Sequence, residues 1–380
     1  MTHDIDEDLL ADADRLERRD SGRLLWSLAR SGAAVRRTGE VIDEFGVAQL
    51  GGERPRALLL VGDAPARSTL RLIARLVADS VPVVIWSGVD LPRWAGPADA
   101  VFLAAFDGRQ ARVAAAAEQA ARRGLMRVVV APANSIVAQA AGRAPVAALP
   151  SDVHHRAALW PMAAPLLQAA HTLELAQAPA DLLGEVADAL DTAAEVCRAA
   201  GDVFTNPAKA LAIDFSGALP LLVGVGALPS IAARVFSDAL RLYAGSPAIS
   251  VALPDGAAVA AALLAGSNTG HPDDIFRDRV DDAVVLPRML TIGDDDRPAS
   301  GSGGERQLDE QGARRAAADL HRLAAAADVR SSTLDPVVDT LTSSALAQLA
   351  AASAIGMYTA TYLALASGLD PSAPRPGEVL

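Results

Sequence analysis

The sequence predicts an α/β protein made of two similar lobes, each a three-layer arrangement with a parallel sheet between helices. Short apolar runs alternate with segments of helical periodicity, which is typical of a parallel sheet covered on both faces. A strand, a glycine turn and a helix follow one another twice, at Gly62 and at Gly224. The chain has 380 residues, enough for two or three domains. The repetition therefore favours duplicated lobes over one large sheet.

The first lobe is expected over residues 51–153, after an N-terminal helical segment at 1–50. Its strands are apolar throughout and do not alternate with polar residues, so we expect each to be buried on both faces. The predicted strands are 56–62, 81–86, 100–104, 127–130 and 145–149, and the predicted helices are 66–79, 109–123 and 134–141.

A helical connector is expected at 154–201, where the apolar spacing is helical throughout and Pro161, Pro165 and Pro179 should break the helices. The second lobe, at 202–290, follows the same rhythm as the first. Its predicted strands are 218–224, 248–253 and 283–286, and its predicted helices are 228–242 and 257–265.

The remainder is predicted as a flexible loop followed by a C-terminal helical segment. Residues 291–312 are polar and rich in glycine, which favours a mobile surface loop. Helices are expected over 313–328 and 334–367, within the segment 313–380 that packs on the lobes. The second of these helices is long and largely apolar, so we expect it to pack between the lobes or against a partner.

The composition excludes several classes of function. The net charge is −12 and no stripe of basic residues exists, which argues against nucleic acid or an anionic membrane as a partner. The one cysteine, Cys197, allows no intrachain disulfide and is expected to be a buried structural thiol. The acidic N-terminus is unlike a signal peptide, and no segment approaches an uninterrupted apolar membrane span. We therefore expect a cytoplasmic protein.

No cofactor or metal is expected. Neither a glycine-rich loop ending in lysine that would cradle phosphates nor a dinucleotide-binding glycine turn is present. His154 and His155 are adjacent, which is not the spacing of two ligands on one helix face, and no cysteine or acidic cluster completes a zinc site.

Two segments carry a resemblance to a known family. Residues 206–212 read Asn-Pro-Ala-Lys-Ala-Leu-Ala and lead into the strand that ends at Gly224, and residues 362–371 read Tyr-Leu-Ala-Leu-Ala-Ser-Gly-Leu-Asp-Pro. Both are similar to the bifunctional phosphoglucose/phosphomannose isomerases, which have two sugar isomerase (SIS) domains. The resemblance extends over nearly the whole chain. It implies two SIS-type lobes, a homodimer, a ligand site in the cleft between the lobes, and aldose–ketose chemistry on hexose 6-phosphates.

The resemblance places the phosphate loop at residues 105–110. The family pattern there is Ser-x-Ser-Gly-x-Thr, whereas this chain has Ala-Phe-Asp-Gly-Arg-Gln, so Gly108 remains and the hydroxyls are missing. Asp107 would set a carboxylate beside the phosphate, a contact that opposes binding unless Arg109 or Arg112 compensates. The alternative is that Asp107 is a helix N-cap that faces water.

Other ligand-binding candidates come from the same resemblance. Gly62, Arg67 and Ser68 belong to the first glycine turn, and Ser135 is the main hydroxyl of the third loop, where Asn134 is expected to cap the next helix. Lys209 is the one lysine of the chain and is a candidate cation for the sugar phosphate; the alternative is a surface lysine or a helix-end charge.

The acid–base groups of the family are missing at the matching positions. Aldose–ketose exchange needs a base that carries a proton between C1 and C2, but the family's glutamate and histidine fall at Leu242 and near Ala258. Asp255 and His271 are the candidate substitutes, although a lone loop histidine is usually just solvated. We therefore expect a weakly active or inactive isomerase that binds hexose 6-phosphates. The alternative is a noncatalytic dimeric scaffold or regulatory partner in mannose or hexose-phosphate metabolism.

Overall fold

The computed structural model describes residues 5–44, 54–266, 286–293, 304–334 and 344–374. The chain forms two compact units, which we call the first-sheet unit and the second-sheet unit. Of the described residues, those within 26–191 and Pro374 belong to the first-sheet unit, and those up to Leu25 and within 192–373 belong to the second-sheet unit. The N-terminal helices and the connector are thus divided between the two units, where the sequence predicted separate segments.

Between residues 58 and 196 the helices and strands follow one another in the order that the periodicities predict, whereas the helix Pro207–Phe215 and the strand Ser331–Thr333 were not predicted. Up to residue 191 they are α1 (Glu7–Ala11), α2 (Ala13–Arg19), α3 (Leu24–Ala29), α4 (Ser31–Glu44), β1 (Leu58–Gly62), α5 (Arg67–Val77), β2 (Val83–Ile85), β3 (Ala100–Ala104), α6 (Ala111–Arg122), β4 (Met126–Ala131), α7 (Ile136–Ala140), β5 (Val146–Ala148), a short 3-10 helix (His155–Ala157), α8 (Leu159–Thr172) and the start of α9 (Ala180–Val196). The rest are α10 (Pro207–Phe215), β6 (Leu219–Val225), α11 (Ala227–Tyr243), β7 (Ile249–Leu253), α12 (Ala257–Gly266), β8 (Pro287–Ile292), α13 (Gly304–Ala326), β9 (Ser331–Thr333) and α14 (Ala345–Ala366).

The first sheet is parallel throughout, with the strand order β2-β1-β3-β4-β5. Leu60 of β1 pairs with Phe102 of β3, and the central strands are buried as the apolar runs predict. The prediction of complete burial is wrong for β2 and β5, which are half-buried. Both are edge strands, so each has a neighbouring strand along one of its edges and none along the other.

The second sheet is also parallel, with the order β7-β6-β8-β9. Strand β8 lies C-terminal to the strand predicted at 283–286, most of which is outside the described residues. Strand β9 was not predicted, because its Ser-Ser-Thr sequence has no apolar run. The loop predicted at 291–312 is shorter than expected: its first two residues complete β8 and its last nine belong to α13.

The connector is helical as predicted, but Pro165 does not break it. Pro161 lies in the first turn of α8, Pro165 lies inside this helix, and Pro179 precedes α9. A proline inside a helix costs about 3 kcal/mol. Helix α8 is buried along most of its length and packs on α4 and α5, and we attribute its continuity to this burial.

Helix α14 lies in the core of its own unit. It is buried from Leu349 to Ala366 and packs on α10 and α11 of the same unit, so it is covered without a partner. The expectation that it packs between the lobes stays a prediction. It has the length and apolar composition of a membrane span, which contradicts our expectation that no segment does, but it is buried within the protein. The homodimer consequently loses this support and stays a prediction from the resemblance.

Candidate functional site

Three neighbouring loops of the first-sheet unit bring together seven of the predicted ligand-binding residues. The loops follow β1, β3 and β4, which are adjacent parallel strands, so they lie along one edge of the sheet. In open α/β sheets, ligands bind at the carboxyl ends of the strands. The seven residues in or beside these loops are Gly62, Arg67, Ser68, Asp107, Gly108, Arg109 and Ser135. We call this group of loops the first-sheet loops.

Gly108 and Ser135 hold two of these loops together. Gly108 has φ +64°, and a Cβ atom at this position would lie 2.1 Å from the Cβ of Ser135. Its carbonyl accepts a hydrogen bond from the Val137 amide at 3.3 Å. Only glycine suits this position, because it needs a left-handed backbone conformation and a close approach.

The helix caps differ from the predicted ones. Ser135, and not Asn134, caps α7, with its Oγ accepting from the Ala138 amide at 3.1 Å. Gln110 occupies the N-cap position of α6, so Asp107 is not the cap. Asp107 is exposed and its Oδ1 accepts from the Arg109 amide at 2.9 Å, a local turn that short acidic side chains favour.

Two cations of this edge are open to solvent. Arg67, the first residue of α5, is exposed, and so is Arg109. Ser68 is half-buried in the first turn of the same helix. Their binding of a ligand stays a prediction.

Asp63 is a central residue of the first-sheet loops that the sequence analysis missed. It is only 7% exposed, and its Oδ1 accepts from the Ala66 amide at 3.1 Å while its Oδ2 accepts from the Phe106 amide at 2.6 Å. The carboxylate thus joins the loops after β1 and β3. Burial raises the pKa of Asp63 to about 6, and the charge of Asp107 adds to the rise, whereas the amide hydrogen bonds oppose it. An acidic residue directly after a strand-ending glycine was the available signal.

Arg112 and His155 complete the polar groups at this edge. The Arg112 Nη2 donates to the Gly62 carbonyl at 2.6 Å, and in the described part of the chain its buried Nη1 has no hydrogen-bond partner. The His155 ring stands edge-on to the Phe106 ring, with centroids 6.2 Å apart. Asp63 and His155 therefore both contact Phe106, one at its amide and one at its ring. From the sequence, His155 was a candidate only for metal binding.

The structure contradicts the expectation that Lys209 reaches a phosphate. Asn206 caps α10, and Lys209 in the first turn of this helix is 0% exposed. Its Nζ donates to the carbonyls of Leu10 at 2.6 Å, Ala199 at 2.6 Å and Gly201 at 2.8 Å. These bonds use all three protons of the ammonium group. Burial lowers the pKa of Lys209, and the residue is neither a ligand group nor the surface lysine of the alternative interpretation.

Of the two acid–base candidates of the second lobe, the structure describes only Asp255. Asp255 is exposed in the turn between β7 and α12, and His271 lies outside the described residues. Among the residues that the structure describes, no group of three His, Cys, Asp or Glu side chains suits a metal ion. Cys197 is buried as expected, and burial raises the pKa of its thiol to about 12, which keeps the thiol protonated.

Comparisons with known proteins find similar solved structures. No family model matches the chain, and no curated protein matches it. A hypothetical protein of Thermus thermophilus has a TM-score of 0.65 at 15% identity, over 97% of this chain and 91% of that chain. Tagatose-6-phosphate ketose/aldose isomerase of Escherichia coli has a TM-score of 0.59 at 15% identity, over 97% of this chain and 99% of that chain.

A third similar structure is the C-terminal domain of glucosamine-fructose-6-phosphate aminotransferase from Francisella tularensis. Its TM-score is 0.54 at 10% identity, over 95% of this chain and 98% of that chain. At these identities the similarity concerns the fold, because folds persist while sites and chemistry change. With two parallel sheets flanked by helices, the chain has the fold of the SIS-type phosphosugar isomerases.

Proposed function

We propose that the protein is a cytoplasmic SIS-domain protein that binds hexose 6-phosphates at the first-sheet loops and isomerises them slowly or not at all. The observation that carries the proposal is the assembly of these loops at the carboxyl edge of the first sheet. There Gly108 packs closely against Ser135, and the Nη1 of Arg112 is a buried donor without a hydrogen-bond partner among the described residues. A guanidinium suits phosphate recognition because its planar donors match the geometry of the oxygens. The resemblance to the phosphoglucose/phosphomannose isomerases supports glucose, mannose and fructose 6-phosphates as the ligands.

Low activity is expected because the positions of the family's acid–base groups hold apolar residues. Leu242, on α11, and Ala258, on α12, are both exposed and neither carries a proton-transfer group. Removal of a general base typically slows a reaction by a factor of about 100 to 10,000. We therefore expect the interconversion of glucose 6-phosphate and fructose 6-phosphate to be slower by such a factor than in an intact family member.

A coupled assay with purified protein measures this turnover. A turnover number in the ordinary range of isomerases would contradict the expectation. Should residual activity be found, Asp255→Asn and Asp63→Asn show which carboxylate supports it, since the two residues lie in different units.

Binding of hexose phosphates is expected to be weak and to improve when the Asp107 carboxylate is removed. Asp107 is exposed, so its repulsion of a phosphate dianion is screened by solvent and amounts to about 1 kcal/mol. We expect Asp107→Ser to tighten the binding of glucose 6-phosphate and mannose 6-phosphate about fivefold by calorimetry, since about 1.4 kcal/mol corresponds to a factor of ten.

Asp319→Ser is the matched control, because it removes an exposed carboxylate from α13, outside the first-sheet loops, and should leave the affinity unchanged. If neither sugar phosphate binds to the wild type or to Asp107→Ser, the first-sheet loops are not a phosphosugar site. The noncatalytic scaffold would then be the function to test.

A further inference from the structure

The contacts of Asp63 are those of a bound anion. Each carboxylate oxygen accepts a backbone N–H, one from Ala66 just before α5 and one from Phe106 just after β3. Backbone amides at the ends of strands and the beginnings of helices are the groups with which proteins hold phosphate and other anions. The chain therefore supplies its own anion to two donors at the edge where a ligand is expected.

Other charged groups lie close to Asp63, so its negative charge affects the binding of a ligand anion. The Arg112 guanidinium lies beside the same strand end, with Nη2 bound to the Gly62 carbonyl and a buried Nη1 that has no partner within the described ranges. The Asp107 carboxylate acts on Asp63 as a like charge. A ligand phosphate that enters these loops must compete with the Asp63 carboxylate for the amides and must also tolerate its charge at close range.

We propose that Asp63 determines the charge specificity of the first-sheet loops: its carboxylate occupies the amides of Ala66 and Phe106 and disfavours a ligand dianion, while a neutral sugar is unaffected. The inference rests on the proposed function for the class of ligand. It assigns to Asp63 a role separate from that of Asp107, whose exposed carboxylate takes neither of these two amides.

Calorimetry at pH 8 with sodium sulfate and with glucose tests the proposal. Sulfate is a dianion at this pH and glucose is neutral. Asp63→Asn keeps the size of the side chain and removes its charge, and Asp63→Ser also frees both amides. We expect both variants to bind sulfate at least about tenfold more tightly than the wild type, since a unit charge near a partly buried dianion costs more than about 1.4 kcal/mol. Glucose binding should not change, and Asp107→Ser should have a smaller effect on sulfate.

A measurement on the wild type keeps the proposal testable if the variants do not fold. In amide NMR spectra at pH 8, the resonances of Ala66 and Phe106 should not shift with sulfate, because the Asp63 carboxylate already holds both N–H groups. A saturable shift of these two resonances would overturn the proposal. So would folded Asp63 variants that gain no affinity for sulfate.

Binding of glucose 6-phosphate separates this inference from the proposed function. If the wild type binds this sugar phosphate and both Asp63 variants bind it equally well, the inference is wrong and the proposed function stands. If the variants gain affinity for sulfate but do not bind glucose 6-phosphate, the inference stands and the proposed class of ligand is wrong.

Discussion

Replacement of Lys209 by methionine is expected to lower the free energy of unfolding by about 3–5 kcal/mol. Methionine fills a similar volume but donates no hydrogen bond, so the carbonyls of Leu10, Ala199 and Gly201 lose their shared partner. A buried polar group left without a partner costs about 1–3 kcal/mol, and the removal of the buried ammonium offsets part of the sum. The change also removes a hydrogen bond between α10 and α1, because the Leu10 carbonyl belongs to α1.

Urea unfolding followed by circular dichroism measures this loss. Arg67→Met is the matched control, because it replaces an exposed cation by the same side chain and should change the free energy of unfolding by no more than about 0.5 kcal/mol. A Lys209→Met protein as stable as this control would show that the three carbonyl contacts contribute nothing to stability.

The second large effect concerns pH and the buried Asp63. The pKa of its carboxyl is raised from 3.8 to about 6 in the folded protein. Between these values the folded state holds a proton that the unfolded state has released, so the folded state loses stability as the pH rises from about 4 to about 6. A difference of about two pKa units corresponds to about 3 kcal/mol, because one unit is about 1.4 kcal/mol. Above this window Asp63 adds no further pH dependence.

The comparison of the wild type with Asp63→Asn isolates this contribution. The pKa of Asp20 is also raised, by burial, so the wild-type profile contains a second term of the same sign. The free energy of unfolding, measured by urea titration from pH 4 to 7.5, should fall more steeply with pH in the wild type than in Asp63→Asn. Parallel profiles for the two proteins would show that Asp63 titrates alike in the folded and unfolded chain.

The sequence alone determined the architecture of this protein. Local patterns predict the strands β1, β3, β4 and β6 and most of the helices between them. A buried parallel strand must be apolar throughout, and a helix that covers the sheet must repeat its apolar face. The duplicated strand-glycine-helix opening correctly indicated two sheets. The sequence also located the loops at the carboxyl edge of the first sheet, because loops that follow parallel strands lie at the same edge. It missed β9, whose three polar residues have no local signature.

Only the tertiary structure decided what the polar side chains do. Lys209 is a sequence candidate for a ligand contact, but its ammonium binds the carbonyl of Leu10, which lies 199 residues away along the chain. Asp63 was not a candidate from the sequence. In the structure it joins two loops, because its carboxylate accepts a hydrogen bond from the Phe106 amide, 43 residues away along the chain. Backbone N–H and C=O groups are chemically alike at nearly every residue. The sequence therefore does not indicate which of them will become the hydrogen-bond partner of a given side chain. Hydrophobic periodicity is local and can be read from the chain, whereas the partner of a buried charge is set by contacts between distant segments.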